Sequence, residues 1–369
     1  MTKLNPDGGT LTATLRQEPL WTLKEIYAQP ALWRITPSLV AAIALKLNLA
    51  SRLQGKRVIL TGAGTSFYAG VAVEAAWPGS VAIATTDLLV DAERLCAGAD
   101  VVVSFARSGN SPESVAVVER IRSLRPEILQ LAITCNEEGA LAQCGLDGLV
   151  TLDPRTNDRS LVMTSSFSNL VLGGLCLASP VLAPASVADA SARAEKMLPA
   201  IDQQCHRLAS QVTDRIVLLS SSPMVGWGRE GALKTLEMTA GQFPTLAESY
   251  LGLRHGPMSF LRPDTLVLCL LSNDPVRRLY EQDLIDELRS KKLGQVVVIG
   301  GAKSDSAWAE DVFPAIAPGL DDSLRTPYEI VFPQLLGYHL SLRMGLNPDS
   351  PSPTGIITRV VQGVSIHPF

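Results

Sequence analysis

Charge is scarce in this chain. Only 18% of its 369 residues are Asp, Glu, Lys or Arg, and the net charge is −4. No basic run occurs, which removes the electrostatic footprint of a nucleic-acid partner. No stretch of eighteen apolar residues occurs, and the first residues are polar without an apolar signal core. A soluble, cytoplasmic protein with no membrane partner is therefore expected. Cysteine is sparse and unpatterned. Cys96, Cys135, Cys144, Cys176, Cys205 and Cys269 show no CxxC spacing. Neither a zinc site nor a disulfide frame is expected, and buried free thiols are the simpler reading. Histidines and carboxylates form no ligating cluster, so no metal and no cofactor is expected. What is abundant is apolar: 46% of residues, ample for one large or two ordinary domains. With so little charge, helix surface is expected to be buried between subunits of a homo-oligomer.

Two segments stand out against that background. Thr61-Gly62-Ala63-Gly64-Thr65-Ser66 follows the run Arg57–Leu60, and Arg107-Ser108-Gly109-Asn110-Ser111 follows Val101–Val103. A buried strand that ends in small and hydroxylated residues and opens a helix is an anion site, because free N–H groups and the positive end of the helix dipole point at the ligand. Two such turns on neighbouring parallel strands could hold one phosphate, with Thr65, Ser66, Arg107, Ser108 and Ser111 as its partners. A dinucleotide fingerprint is the rival, but Phe67 stands where GxGxxG needs its last glycine. A tight turn that merely needs glycine is the other.

Strands and helices alternate along the chain. Strands are expected at 57–61, 101–105, 130–134, 215–220, 266–271 and 295–299. Helices are expected at 65–76, 112–123, 164–177, 187–210, 229–241, 276–291 and 327–344, and over much of 21–54 with Trp21, Ile26, Leu32, Trp33, Leu39 and Leu45 as apolar anchors. Pro112 suits a first helical turn. The strand–small-residue-turn–helix unit occurs in both halves, which implies parallel sheets in two layered α/β domains. The expected division is 1–54 for an N-terminal arm and helices, 55–200 and 201–348 for two domains, and 349–369 for a tail over the site.

A third constellation runs Arg229-Glu230-Gly231-Ala232-Leu233-Lys234-Thr235-Leu236-Glu237, then Glu248, then Leu253-Arg254-His255-Gly256-Pro257. Lys234 and Glu237 share a helix face. A surface ion pair is the ordinary fate of that spacing, and His255 could be a solvated loop residue. Yet the apolar neighbours bury this helix, and a buried carboxylate is costly without a task.

Together these segments resemble the sugar isomerase (SIS) family, with two tandem SIS domains, and within it the AgaS-type tagatose-6-phosphate ketose/aldose isomerases or galactosamine-6-phosphate deaminases. The resemblance lies in 60–66, Ser108-Gly109-Asn110-Ser111-Pro112-Glu113-Ser114, Ile133-Thr134-Cys135-Asn136-Glu137, Met163-Thr164-Ser165-Ser166, Arg254-His255-Gly256-Pro257 and Arg359-Val360-Val361-Gln362-Gly363-Val364. It implies a flavodoxin-like three-layer α/β/α architecture in each domain. It implies that Ser66, Ser108 and Ser111 hold a sugar phosphate with Thr65 and Arg107 close by. It implies that Glu237 moves a proton between C1 and C2, with Lys234 beside it. It implies that His255 opens the ring, reaching in from a neighbouring subunit. Gly64, Asn136, Ser165, Ser166, Arg359 and Gln362 are the further substrate contacts expected. Two departures bear on the chemistry. Ala106 replaces the first serine of the second loop, and no lysine matches the C-terminal lysine of glucosamine-6-phosphate synthase. No glutaminase domain is expected ahead of the first SIS domain, so ammonia is not expected to come from glutamine. The expected substrate is galactosamine 6-phosphate, with glucosamine 6-phosphate or a simple aldose–ketose pair as alternatives. A non-catalytic sugar-phosphate sensor is the rival class, though Glu237 with His255 would be idle in one and residues 1–54 offer no basic recognition helix.

Overall fold

The computed structural model describes residues 20–178, 182–212, 214–301, 312–361 and 363–367. After the helices α1 (Trp21–Lys46) and α2 (Leu49–Leu53), the chain builds one sheet. It runs β1 (Val58–Gly62), α3 (Thr65–Glu74), β2 (Ser80–Ala84), α4 (Thr85–Leu95), β3 (Val101–Ala106), α5 (Pro112–Leu124), β4 (Leu129–Thr134) and β5 (Gly148–Thr151). All pairings are parallel, in the order β2-β1-β3-β4-β5. The helices α6 (Ser165–Ala178) and α7 (Pro184–Gln211) lead to the second sheet. There follow β6 (Ile216–Ser220), α8 (Val225–Met238), β7 (Thr245–Glu248), α9 (Tyr250–Leu253), β8 (Leu266–Leu270), α10 (Pro275–Ser290), β9 (Gln295–Ile299) and β10 (Val312–Phe313). These strands are also parallel, in the order β7-β6-β8-β9-β10. The short α11 (Thr326–Glu329) and α12 (Val331–Arg343) complete the helical set. Both sheets therefore share the flavodoxin-like doubly wound order, whose direction reverses between the first and third strands. β1, β3, β6 and β8 are buried at every residue, as expected of parallel strands covered on both faces.

The helix α1 packs against α6, α7 and α12 and so joins the two halves. Trp33 is fully buried, donates through Nε1 to Ser168 Oγ at 2.9 Å and meets the Tyr328 ring edge-on at 5.1 Å. Ile26 and Leu32 are buried with it, but two expected anchors are not: Trp21 is 43% and Leu45 84% exposed. The buried stripe runs through 26, 29, 33, 36 and 40 at helical spacing, and Leu45 falls on the opposite face. Trp21 instead carries the Arg159 guanidinium 4.1 Å above its ring. The boundary expected at residue 200 falls inside α7, which runs unbroken from Pro184 to Gln211. Of the N-terminal arm and helices expected at 1–54, residues 1–19 lie outside the described residues.

The start of α8 explains the approach of the two halves. A Cβ on Gly226 would lie 2.7 Å from Ala72 Cβ and 2.8 Å from its Cα, so α3 and α8 touch backbone to backbone there. The helix begins four residues before the expected Arg229, across Gly226 and Gly228, residues that in isolation disfavour helix. Gly226→Val is expected to destabilise the fold by about 1–3 kcal/mol, as over-packing does, read as a lower midpoint of urea unfolding. An unchanged midpoint would mean that α3 and α8 can separate freely.

The last segment returns to the beginning. Asp349 accepts from the backbone N–H groups of Trp21 (2.9 Å) and Thr22 (2.8 Å), and its own carbonyl accepts from Leu161 N at 2.9 Å. The tail then passes along the turn 157–161.

Candidate active site

The C-terminal ends of β1 and β3 lie side by side, with Thr61 in register with Ser104. This is the point where strand order reverses, the crevice in which doubly wound sheets bind ligands. After β1 the chain doubles back so tightly that a Cβ on Gly62 would sit 2.4 Å from the Ser66 carbonyl carbon. Gly64 adopts φ 56°, ψ −126°, a conformation for glycine alone. Thr65 and Ser66 follow as the almost buried first residues of α3. After β3, the Arg107–Ser111 turn leads into α5 with Pro112 in its first turn. That turn leans on the end of β4: Asn136 Nδ2 donates to the Ser108 carbonyl at 2.9 Å, and Asn110 Oδ1 accepts from Ala140 N at 3.0 Å. Ser108 and Ser111 are half-buried, and Ser111 donates to the Glu113 carboxylate.

The α8 helix brings Glu230, Lys234 and Glu237 to this crevice on one face. Lys234 is fully buried. Its Nζ lies 2.5 Å from Glu237 Oε2, 3.1 Å from Thr65 Oγ1 and 3.4 Å from Glu230 Oε1. Thr65 in turn donates to Glu230 Oε1 at 3.2 Å. A hydroxyl from the turn after β1 of the first sheet is thus bonded to the lysine and a carboxylate of the second. Burial pushes Glu230 up to about 8, although Lys234 pulls the other way. Burial alone would lower Lys234, but Glu230 and Glu237 outweigh it and hold the ammonium above its ordinary value. Glu230 Oε2 is buried without a hydrogen-bond partner among the described residues. Glu237 is the open member of the set, its side chain 32% exposed.

Other expected residues are placed differently. Arg107 is almost buried. Its Nη1 donates to the carbonyls of Ser160 (3.2 Å) and Leu161 (2.8 Å), and its Nη2 to that of Arg359 (2.8 Å). It braces the tail rather than presenting these donors to the crevice. Burial, then the nearby Arg359 charge, pull it down to about 10. Ser165 and Ser166 are fully buried at the start of α6 and donate through their N–H groups to Asp158 at 3.0 and 2.9 Å. A ligand cannot reach them in this conformation, because the Asp158 carboxylate already occupies the helix N-terminus. Arg359 donates through Nε to the Asp158 carbonyl at 2.9 Å and through Nη2 to Asn157 Oδ1 at 2.6 Å. Gln362 lies outside the described residues. His255 is exposed on the turn after α9; among the described residues no hydrogen bond ties its ring to Lys234 or Glu237.

The matching crevice of the second sheet is filled by the protein's own carboxylates. Glu281 accepts from Ser221 Oγ (2.5 Å) and Ser272 N (2.7 Å), Asp322 accepts from Asn273 N (2.8 Å), and Asp274 caps α10. The six cysteines are free, and the described residues contain no group of three or more His, Cys, Asp or Glu able to hold a metal. Among the described residues no helix is long and apolar enough to cross a membrane.

Local sequence pattern alone gives no role to Glu230, Asp158 or Glu25. Glu230 had one legible signal, a carboxylate four residues before a lysine on a largely apolar helix.

No family model matches the chain. It is 38% identical over 371 residues to the AgaS protein of Streptomyces coelicolor, covering 94% of this chain and 95% of that relative. It is 35% identical over 383 residues to the D-galactosamine-6-phosphate deaminase AgaS of a Shewanella species, covering 95% of this chain and 92% of the other. The crystal structure of tagatose-6-phosphate ketose/aldose isomerase from Escherichia coli superposes with a TM-score of 0.86 at 32% identity, over 95% of this chain and 96% of that one. With relatives this similar over nearly its full length, and with two doubly wound sheets in tandem, the chain belongs to the AgaS family of sugar isomerase (SIS) domain proteins.

Proposed function

We propose that this protein is an amino-sugar-phosphate deaminase and isomerase that converts galactosamine 6-phosphate to tagatose 6-phosphate and ammonia. The observation that carries this reading is the Lys234 ammonium, bonded at once to Thr65 of the phosphate turn and to Glu237. It fixes a carboxylate at a set distance from an anion site, as a proton transfer near the head of a 6-phosphosugar requires. The phosphate sits between the turns after β1 and β3, against Thr65, Ser66, Ser108 and Ser111. His255, supplied by the neighbouring subunit of a homo-oligomer in the cytoplasm, opens the ring. Glu237 takes the proton from C2 and returns it to C1. The enolamine becomes a C2 imine, and water adds to it and releases ammonia. Lys234 faces the oxygen that gains charge.

Incubation with galactosamine 6-phosphate is expected to release one ammonia per ketose formed, followed by a coupled ammonia assay and a ketose assay. Faster turnover of glucosamine 6-phosphate would move the preference to the other C4 epimer. Ketose without ammonia from an unaminated aldose 6-phosphate would make it a simple isomerase. No turnover of any of these would overturn the reading.

A further inference from the structure

A buried carboxylate on α1 lies behind the tail arginine, on the far side of one peptide group. Glu25 Oε1 accepts from Arg159 N at 2.5 Å and from Ser160 N at 3.3 Å, and Oε2 accepts from Ser160 Oγ at 2.5 Å. The amide N–H of Arg159 shares its peptide plane with the carbonyl of Asp158, and that carbonyl accepts from Arg359 Nε at 2.9 Å and from Arg359 Nη2. The order is carboxylate, N–H, C=O, guanidinium. An amide that donates to an anion becomes a stronger acceptor at its oxygen, since bonded dipoles polarise one another. Arg359 forms no ion pair among the described residues, so this polarised carbonyl and Asn157 Oδ1 are what hold its charge.

We propose that Glu25 is a positioning residue for Arg359, acting through the Asp158–Arg159 peptide to hold the tail against the phosphate turns. That Arg359 belongs to the substrate site rests on the function proposed above. The peptide beyond reinforces the clamp: Leu161 N donates to the Asp349 carbonyl while the Ser160 carbonyl receives Arg107. Thr22 Oγ1 lies between Ser160 Oγ (3.0 Å) and Asp349 Oδ1 (2.8 Å), so the same turn is also tied to the start of the tail.

The charged groups around Glu25 are Asp158 and Arg159 from the turn, Asp349 through Thr22, and Arg107 and Arg359 across the turn. Lys24 on α1 lies over the Trp21 ring, as Arg159 does. Burial, then the Asp158 charge, raise Glu25 to about 7, against the bonds from Ser160 and Arg159. The clamp is therefore strongest above that pH, where the carboxylate is ionised, and relaxes below it.

The test is amide hydrogen exchange of the segment 355–361 in the full chain, comparing wild type with Glu25→Gln at the same pH so that intrinsic rates cancel. Glutamine keeps an acceptor for Arg159 N but carries no charge. At about pH 8 the wild-type segment is expected to exchange roughly threefold more slowly than the variant, and by about pH 6 the two should converge. Arg359→Ala should exchange fast at both. Equal rates at the higher pH, or a ratio that does not fall at the lower, would overturn the proposal. KM for galactosamine 6-phosphate is expected to rise in Glu25→Gln with kcat held. If exchange behaves as expected but KM does not move, the clamp stands and the place of Arg359 in the substrate site falls.

Discussion

Glu237→Gln is expected to lower kcat by about 10²–10⁴-fold, the usual contribution of a positioned general base, while a 6-phosphosugar still binds. Glutamine keeps the volume and an oxygen for Lys234 Nζ, 2.5 Å away in the wild type, so the Thr65 turn bonded to that lysine stays in place. What is lost is the capacity to accept a proton from carbon. The measurement is a pair: steady-state ammonia release, and calorimetric titration with the product ketose phosphate. Turnover within a few-fold of wild type would remove Glu237 from the chemistry. Loss of binding together with turnover would mean that the carboxylate organises the crevice instead of reacting in it.

The parts of the fold legible in the residues were the centres of the two sheets. β1, β3, β4, β6, β8 and β9 are largely apolar runs between turn residues, interrupted only by single polar residues such as Ser104 and Gln130, which is how a strand covered on both faces reads. The four strands that escaped are the sheet edges. β7 is half-buried along its length and β2 is too except at the exposed Val81, β5 alternates, and β10 has two residues. An edge strand buries less and needs no apolar run, so only pairing with its neighbour defines it. The first turns of α8 were missed for a related reason: Gly226 and Gly228 are there for close contacts made by distant residues, and in isolation glycine argues against helix.

The site divided along the same line. The two turns and the Lys234–Glu237 face are local patterns, and the structure brings them to one crevice. What no local pattern carries is the competition for polar groups. Arg107, Ser165 and Ser166 sit in the expected segments, yet their donors are taken by the Ser160, Leu161 and Arg359 carbonyls and by Asp158. The acceptors of Arg107 arrive from a turn about fifty residues on and from the tail, whereas Asp158 of that same turn stands just ahead of Ser165 and Ser166. A cation or hydroxyl in a binding motif is free for ligand only if the rest of the chain has not claimed it.

Lys234→Met should cost both stability and catalysis, with a pH dependence that identifies the buried partner. Methionine fills the lysine stem but supplies no donor to Thr65, Glu230 or Glu237. Near neutral pH the loss is expected to be about 1–3 kcal/mol, the cost of unmade hydrogen bonds in a buried site. Glu230 has its folded value raised from 4.5 to about 8, so its neutral form favours the fold and that advantage disappears as pH rises through about 8. In the wild type Lys234 then compensates the new charge. In the variant nothing does, and removing one partner of a buried pair costs about 3–5 kcal/mol. Urea unfolding near pH 7 and near pH 9 should therefore show a gap between the two proteins that widens at the higher pH. Adding Glu230→Gln to Lys234→Met should close most of that extra gap without restoring ammonia release. A gap independent of pH would mean that Glu230 is not the group Lys234 neutralises. Ammonia release at the wild-type rate in Lys234→Met would separate the lysine from the reaction, leaving it as a strut between the two sheets.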